Sequence, residues 1–182
     1  MRKDGVHWLR TRGGAIYGDE GVTLLEHALQ CAALAESDGA SDALVVAALL
    51  HDVGLLLGSE VSNASGDDRQ HERLGARFLG RSFGPEVSEP VRLHVEAKRY
   101  LARDAAYRDG LSQESLRRLD QQGGVYEDWQ AEGFEAHPYA DDAIRLRRWD
   151  DQATKPGIEV PGLEHYADRI ALLVRARLTV NS

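Results

Sequence analysis

Four histidines and two aspartates occur along the chain at intervals that suit a shared metal site. The histidines lie in predicted helices and are separated by 24, 20 and 23 residues, about one helix and one loop each. Imidazole and carboxylate are standard metal ligands, and sequential helices of a bundle can bring one ligand each to a common centre. The predicted ligands are His27, His51, Asp52, His71, His94 and Asp150.

The adjacent pair His51-Asp52 is the strongest element of this pattern. It ends an apolar run that includes Ala47–Leu50, so both side chains are expected inside the core. Burying an unpaired charge costs roughly several kcal/mol. A buried imidazole and carboxylate therefore require a compensating cation, and the Asp52 carboxylate is able to bridge two metal ions.

Length and composition indicate one globular domain of 182 residues, with 42% apolar and 29% charged residues. The net charge of -8 argues against a nucleic-acid-binding surface. Cys31 is the one cysteine, and no apolar stretch suits a signal sequence or a membrane span. These features predict a cytoplasmic protein with no membrane or nucleic-acid partner, and they leave the oligomeric state open.

Hydrophobic periodicity predicts an all-α protein, with no strand-like alternation. Predicted helices cover about 20–37, 69–83, 112–121, 138–151 and 164–179. A further helix, capped by Ser41 or Asp42, runs through Leu44–Leu50 into His51-Asp52, where Gly54 ends it, and a polar loop covers 58–67. Another begins at Pro85 or Pro90 and carries His94 and Lys98. Asp67 or Asp68 is expected to cap the helix over 69–83, and residues 101–111 are a connector.

The order H…HD…H…H…D resembles the HD-domain superfamily, whose core is a helical bundle around one or two metal ions. Five further segments are similar to its phosphonate-cleaving branch, the PhnZ-type mixed-valent di-iron oxygenases. They are Tyr17–Glu20 six residues before His27, His71–Ala76, His94–Lys98, Gln122–Gly124 and Leu146–Asp151. The resemblance runs from about residue 15 to 157. It implies an HD domain over 1–182, with an arm (1–16), a metal-binding core (17–157) and a C-terminal helix (158–182).

The resemblance also implies which residues hold each metal ion. One iron is expected on His27, His51, Asp52 and Asp150, and a second on His71 and His94, with Asp52 as the bridge. Asp151 is an alternative to Asp150 as the last ligand. Asp150 is preferred because it follows the aromatic Trp149, as in the relatives.

Substrate-binding roles follow from the same resemblance. Lys98 and Arg147 lie about one helical turn from the ligands His94 and Asp150 and are expected to bind a phosphonate. The alternative for both is a solvated surface cation. Gln122, with the backbone amides of the two glycines after it, is expected to complete the anion pocket, and the alternative is a plain turn.

Tyr17 and Glu20 precede the first ligand helix and resemble a lid, in which the glutamate meets a substrate ammonium group. Their alternatives are a packing aromatic and an acidic residue at a helix start. Leu55 stands where the relatives usually carry a histidine, and this departure bears on the substrate rather than on the metal ions. The remaining histidines, His7, His137 and His165, are predicted to be structural or at the surface.

The implied activity is a di-iron oxygenase with a mixed-valent Fe(II)/Fe(III) pair. It is expected to use O2 to cleave the C–P bond of a 1-hydroxy-2-(amino or trimethylammonio)alkylphosphonate, giving a carboxylic acid and phosphate. The alternative is a metal-dependent phosphohydrolase that uses Mn or Mg on a small phosphate ester or nucleotide. A non-catalytic, metal-stabilised helical domain is a third hypothesis.

Overall fold

The computed structural model describes residues 4–17, 21–61 and 70–180, and confirms the predicted all-α class. Helices dominate this part of the chain, and a 3₁₀ turn at Leu163–Tyr166 precedes the last one. The helices are α1 (Gly5–Arg12), α2 (Leu24–Ser37), α3 (Asp42–Leu50), α4 (Val53–Val61), α5 (His71–Leu79), α6 (Pro85–Leu101), α7 (Ala105–Asp109), α8 (Gln113–Gln121), α9 (Asp128–Glu135), α10 (Ala140–Gln152) and α11 (Ala167–Val180).

A short antiparallel pair precedes α2, in which β1 (Ile16–Tyr17) lies beside β2 (Val22–Thr23). The prediction that the first long helix starts near residue 20 was therefore wrong. Thr23 caps α2 instead, because its hydroxyl accepts from the Glu26 amide while the Glu26 carboxylate accepts from the Thr23 amide, at 3.2 and 2.7 Å. This reciprocal pair satisfies two amides that the helix cannot use.

The bend between α3 and α4 carries the central ligand pair. Ser41, one of the two predicted caps, caps α3, and every residue from Leu44 to Leu50 is buried. Gly54 was predicted to end this helix, but it lies in the first turn of α4. A β-carbon there would lie 1.9 Å from the carbonyl oxygen of His71. The glycine therefore allows α4 to touch the start of α5.

Several other boundaries differ from the predictions. The predicted polar loop over 58–67 is helical as far as Val61, and its remainder lies outside the described residues. The predicted caps Asp67 and Asp68 also lie outside them. The helix at α5 ends at Leu79 rather than near 83, and the connector over 101–111 contains α7. Pro85, one of the two predicted starts, is the first residue of α6.

The core forms where α6 packs against α3, α5 and α10, and where α2 packs against α3 and α10. The main apolar cluster fills this space, and a smaller cluster around Leu93 and Phe134 lies between α6, α9 and α10. Across the described ranges, no helix combines the length and apolar character needed to cross a membrane.

Candidate metal centre

The six predicted ligands come together in the centre of the bundle. They come from five packed segments: α2, the α3–α4 bend, which supplies two of them, α5, α6 and α10. None of the six is more than 9% exposed. The side chains are His27, His51, Asp52, His71, His94 and Asp150. Helix packing has therefore assembled residues that are up to 123 positions apart.

Two groups can be distinguished within this cluster. In the first, the His27 Nε2 atom lies 3.1 Å from Asp150 Oδ1 and 3.3 Å from His51 Nε2. The His51 Nε2 atom lies 3.5 Å from the same Asp150 oxygen. In the second, the Nε2 atoms of His71 and His94 are 3.2 Å apart.

Asp52 lies between the two groups and faces each with a different oxygen. Its Oδ2 atom lies 3.8 and 3.5 Å from the Nε2 atoms of His27 and His51. Its Oδ1 atom lies 3.2 and 3.8 Å from those of His71 and His94. The Oδ2 atom is buried and has no hydrogen-bond partner in the described part of the chain. A buried acceptor with this surrounding fits a cation between the nitrogen and oxygen atoms.

Backbone carbonyls orient three of the imidazoles. The Nδ1 atoms of His27, His51 and His94 lie 2.9, 2.8 and 2.7 Å from the carbonyl oxygens of Ala153, Ala48 and Val91, respectively. A carbonyl oxygen only accepts, so Nδ1 carries a proton and Nε2 is the nitrogen that is left to bind a metal ion. A second partner of this kind is the usual support for a metal-binding histidine.

Electrostatics in the cluster show the same need for positive charge. Burial lowers the pKa of His51, but Asp52 and Asp150 outweigh it and raise the value to about 9. Burial opposes ionisation of Asp52, yet His51 and His71 hold its pKa well below the usual range. Protons on imidazoles therefore balance the buried carboxylates when no metal is present, and a bound cation would replace them.

Burial, with the positive charge of His71 and His51, lowers the pKa of His94 to about 3. This imidazole is therefore neutral at physiological pH, which is the form that binds a metal ion.

Cys31 is a neighbour of the cluster that the sequence analysis did not place at the site. Its Sγ atom lies 3.8 Å from His27 Nε2, one helical turn along α2. Burial raises the pKa of the thiol, so it stays protonated. Its position four residues after His27, on the same side of the helix, is the sequence feature that could have predicted this contact.

The structure separates the roles of the two adjacent aspartates. Asp150 faces His27 and His51, whereas Asp151 accepts a hydrogen bond from the Tyr107 hydroxyl at 2.5 Å and contacts Arg147. Of the two alternatives that the sequence left open, Asp150 is the one within the ligand cluster.

A cavity of about 220 Å³ opens beside the second group and reaches the predicted substrate-binding side chains. Lys98, Gln122 and Arg147 all line it, together with Asp52 and His94. Lys98 and Arg147 are 2% and 8% exposed, so neither is a solvated surface cation.

The two cations differ in charge state. Burial, with the nearby Arg147 charge, lowers the pKa of Lys98 to about 7. Burial acts in the same direction on Arg147, but Asp150 and Asp151 outweigh it and raise its pKa well above the ordinary value. Arg147 is therefore a permanent cation beside the cluster, and its Nη1 atom lies 2.7 Å from Asp150 Oδ2.

The Gln122 turn behaves partly as expected. Its side-chain oxygen is buried without a hydrogen-bond partner in the described ranges, which suits a role in the cavity. The amides of Gly123 and Gly124, however, donate to the carbonyls of Asp120 and Leu119. They close the end of α8, so the prediction that they bind an anion was wrong.

Tyr17 lines the cavity and stacks on His27, with ring centroids 4.2 Å apart and planes 14° from parallel. Burial raises its pKa, with Asp52 and Asp150 adding to the effect, so its hydroxyl is neutral. Glu20 lies outside the described residues. Leu55, which stands where the resemblance led us to expect a histidine, is partly buried and packs against the main core.

Helix α8 supplies a wall of the cavity that the sequence did not identify. Ser112, Glu114, Ser115 and Arg118 all line it, and the Arg118 guanidinium lies 5.7 Å from the centre of the Tyr17 ring. The sequence feature that could have pointed to this wall is the position of Arg118, which precedes the predicted site residue Gln122 by one helical turn.

The other three histidines lie elsewhere. His165 contacts the Glu36 carboxylate at 2.9 Å, His137 lies 3.2 Å from an Arg92 nitrogen, and His7 is a partly exposed residue of α1.

Comparisons with known proteins identify a family and several relatives. A family model described as the HD domain matches residues 24–140. The chain is 45% identical to hydroxymethylphosphonate dioxygenase of Gimesia maris, over 84% of this chain and 78% of that protein. It is 37% identical to [1-hydroxy-2-(trimethylamino)ethyl]phosphonate dioxygenase (glycine-betaine-forming) of Leisingera caerulea, over 90% and 85%. Uncharacterized protein L432 of Acanthamoeba polyphaga mimivirus is 31% identical, over 85% and 73%.

Proposed function

We propose that this chain, which belongs to the HD-domain family, is an oxygenase that cleaves the C–P bond of an organophosphonate with O2. The observation that carries the proposal is the position of Asp52 between two buried ligand groups. The two named relatives, both phosphonate dioxygenases, supply the reaction class. The phosphohydrolase alternative uses the same ligands, but neither of these two relatives is named for it.

The ligand groups and the dioxygenase relatives support a metal cofactor. In this proposal His27, His51 and Asp150 would hold one iron and His71 and His94 would hold a second, with Asp52 shared between the two groups. A mixed-valent Fe(II)/Fe(III) pair is part of the same proposal. When bound, the irons supply the activation of O2 and the oxidation at carbon, which no side chain here provides.

The substrate class that we propose is a 1-hydroxyalkylphosphonate, with an amino or trimethylammonio group at C2 as the first candidate. Arg147 and Lys98 offer the phosphonate a permanent and a titrating cation from one wall of the cavity. Gln122 adds a side-chain amide whose oxygen is unpaired among the described residues, and Tyr17 covers the cluster beside His27.

The proposed reaction balances as one phosphonate plus one O2, giving one carboxylic acid and one phosphate. The C–P bond breaks, C1 is oxidised to the carboxyl level, and O2 is the oxidant. The chain's own part is to bind and orient the phosphonate, and to keep the cluster away from water behind Tyr17.

The experiment that tests this function is phosphate release from iron-loaded protein, measured with and without O2. The panel contains hydroxymethylphosphonate and 1-hydroxy-2-amino- and 1-hydroxy-2-trimethylammonio-ethylphosphonate. We expect phosphate and the matching carboxylic acid only when O2 is present. Turnover that persists without O2 would rule out the oxygenase, and hydrolysis of phosphate esters with manganese or magnesium would favour the phosphohydrolase.

Leu55 allows a separate test of substrate preference. We expect Leu55→His, which restores the residue usual in the relatives, to change the ranking of the panel. An unchanged ranking would show that this position does not set specificity.

A further inference from the structure

A tyrosine outside the cavity is linked to it by a chain of polar contacts. The Tyr107 hydroxyl, in α7, donates to Asp151 Oδ2 at 2.5 Å. The other Asp151 oxygen contacts Arg147 Nη2, and Arg147 Nη1 reaches Asp150 Oδ2 at 2.7 Å. This series of contacts therefore connects α7 to the ligand cluster through two carboxylates and one guanidinium.

The position of Arg147 depends on these contacts. Its Nη atoms meet a carboxylate on either side, whereas its buried Nε atom has no hydrogen-bond partner in the described part of the chain. The orientation of the guanidinium plane is therefore set by where Asp150 and Asp151 hold its two ends. A fork of this kind recognises an oxyanion only when its plane is correctly turned.

Asp151 in turn has one oxygen on Arg147 and the other on Tyr107. Without the hydroxyl, its carboxylate loses the contact that fixes its rotation, and Arg147 gains other orientations. Arg147 and Asp151 line the cavity, while Tyr107 does not belong to the lining that the described residues form. Tyr107 thus acts on the cavity indirectly, through Asp151 and through its own contact with Arg147.

We propose that Tyr107 is a positioning residue, whose hydroxyl holds Asp151 so that Arg147 presents its guanidinium to a bound phosphonate or phosphate. The inference rests on the proposed function for the identity of the anion. It does not depend on O2 chemistry, because phosphate is a product of either candidate reaction.

The test is the affinity of iron-loaded protein for inorganic phosphate, measured by calorimetry without O2, for the parent and Tyr107→Phe. We expect the Kd for phosphate to rise about tenfold in Tyr107→Phe, with iron content unchanged. In the oxygenase assay KM should rise by a similar factor, while kcat changes less than about threefold.

Tyr100→Phe is the matched control. The Tyr100 hydroxyl donates to a Glu135 oxygen at 2.7 Å, a contact of the same chemistry that lies outside the cavity lining. This variant should bind phosphate as the parent does. An equal loss of affinity in both variants would mean that a tyrosine hydroxyl acts only on general stability, which would overturn the inference.

A second variant separates positioning from packing. Asp151→Ala should weaken phosphate binding at least as much as Tyr107→Phe, and the loss in the double variant should be smaller than the sum of the two single losses. Additive losses, or parent-like affinity in Tyr107→Phe, would overturn the inference. A parent protein that binds no phosphate would overturn it as well, whereas the O2-dependence assay decides the proposed function separately.

Discussion

Asp52 is the residue on which both ligand groups depend, because each of its oxygens faces a different pair of imidazoles. Removing the charge leaves a neutral amide, whose NH2 group repels a cation where the second oxygen stood. The effect should therefore reach both groups, although only one side chain is changed.

We expect Asp52→Asn to retain less than roughly half of the iron that the parent holds, since a bridging carboxylate serves both ions. Asp141→Asn, an exposed acid on α10, is the control and should retain parent levels. The measurement is iron per chain after gel filtration. Parent-like iron content in Asp52→Asn would contradict the proposed bridge.

Lys98 predicts a pH dependence of stability in the metal-free protein. Its pKa is about 7 in the folded chain, because of burial and the Arg147 charge, against an ordinary value of 10.5. Between these values the unfolded chain holds a proton that the folded chain has lost, so stability rises with pH. The cost of burying the charged amine is fully present below pH 7 and disappears as the pH approaches 10.5.

The Lys98→Met variant removes this cost and should be stabilised relative to the parent, more at pH 6 than at pH 9. The difference in unfolding free energy between the variant and the parent should shrink by roughly 2 to 3 kcal/mol from pH 6 to pH 9. Urea unfolding of both proteins at each pH measures it. A gap that does not change with pH would show that Lys98 does not titrate in this range.

At the scale of elements, the α3–α4 bend and the start of α5 must touch for the centre to form. Gly54 permits this contact, since a β-carbon there would lie 1.9 Å from the His71 carbonyl oxygen and 2.9 Å from the Gly75 amide nitrogen. Both obstacles are backbone atoms, so neither can rotate away. One glycine thus sets the distance between the segment of His51-Asp52 and the segment of His71.

We expect Gly54→Ala to separate α4 from α5, with a loss of about 3 kcal/mol or more of stability. Iron binding at the His71 group should weaken with it. Gly133→Ala is the control, because that helical glycine has open space around it and alanine favours the helix by about 1 kcal/mol. Thermal unfolding by circular dichroism separates the two, and parent-like stability of Gly54→Ala would contradict the contact.

At the scale of the whole molecule, the centre joins segments that lie far apart in the sequence. Among the residues that the structure describes, three carboxylates and several imidazoles lie inside the core. Two of these carboxylates are in the ligand cluster, and the third, Glu72, lies beside His71. Concentrating such groups in a core is costly unless a cation binds. Metal binding should therefore contribute to global stability and not only to activity.

Iron loading without O2 should raise the unfolding midpoint, and a chelator should reverse the shift. An ion present at a hundred times its Kd stabilises by about 2.7 kcal/mol, which is roughly 5 to 10 °C for a chain of this size. The readout is a calorimetric melt of the parent and of Asp52→Asn. An equal shift in both proteins would place the stabilising metal elsewhere.

The sequence alone determined the residue types of the proposed ligands, their order along the chain and the helical class. These depend on short-range regularities: apolar residues at helical spacing, a serine that caps α3, and a proline that starts α6. The side chains of Lys98 and Arg147 could be placed near the centre because one helical turn separates each from a ligand, and this distance hardly depends on the rest of the fold.

Other features depend on contacts between distant segments, and only the tertiary structure decided them. Helical spacing treats Asp150 and Asp151 almost alike, whereas packing of α10 against α2 and α6 turned one toward the imidazoles and the other toward Tyr107. A glycine is typical of a helix end, and this was the prediction for Gly54. Its structural role is instead to leave room for the start of α5, which lies against it. Such contacts follow from side-chain volume and backbone geometry in three dimensions, which no local pattern encodes.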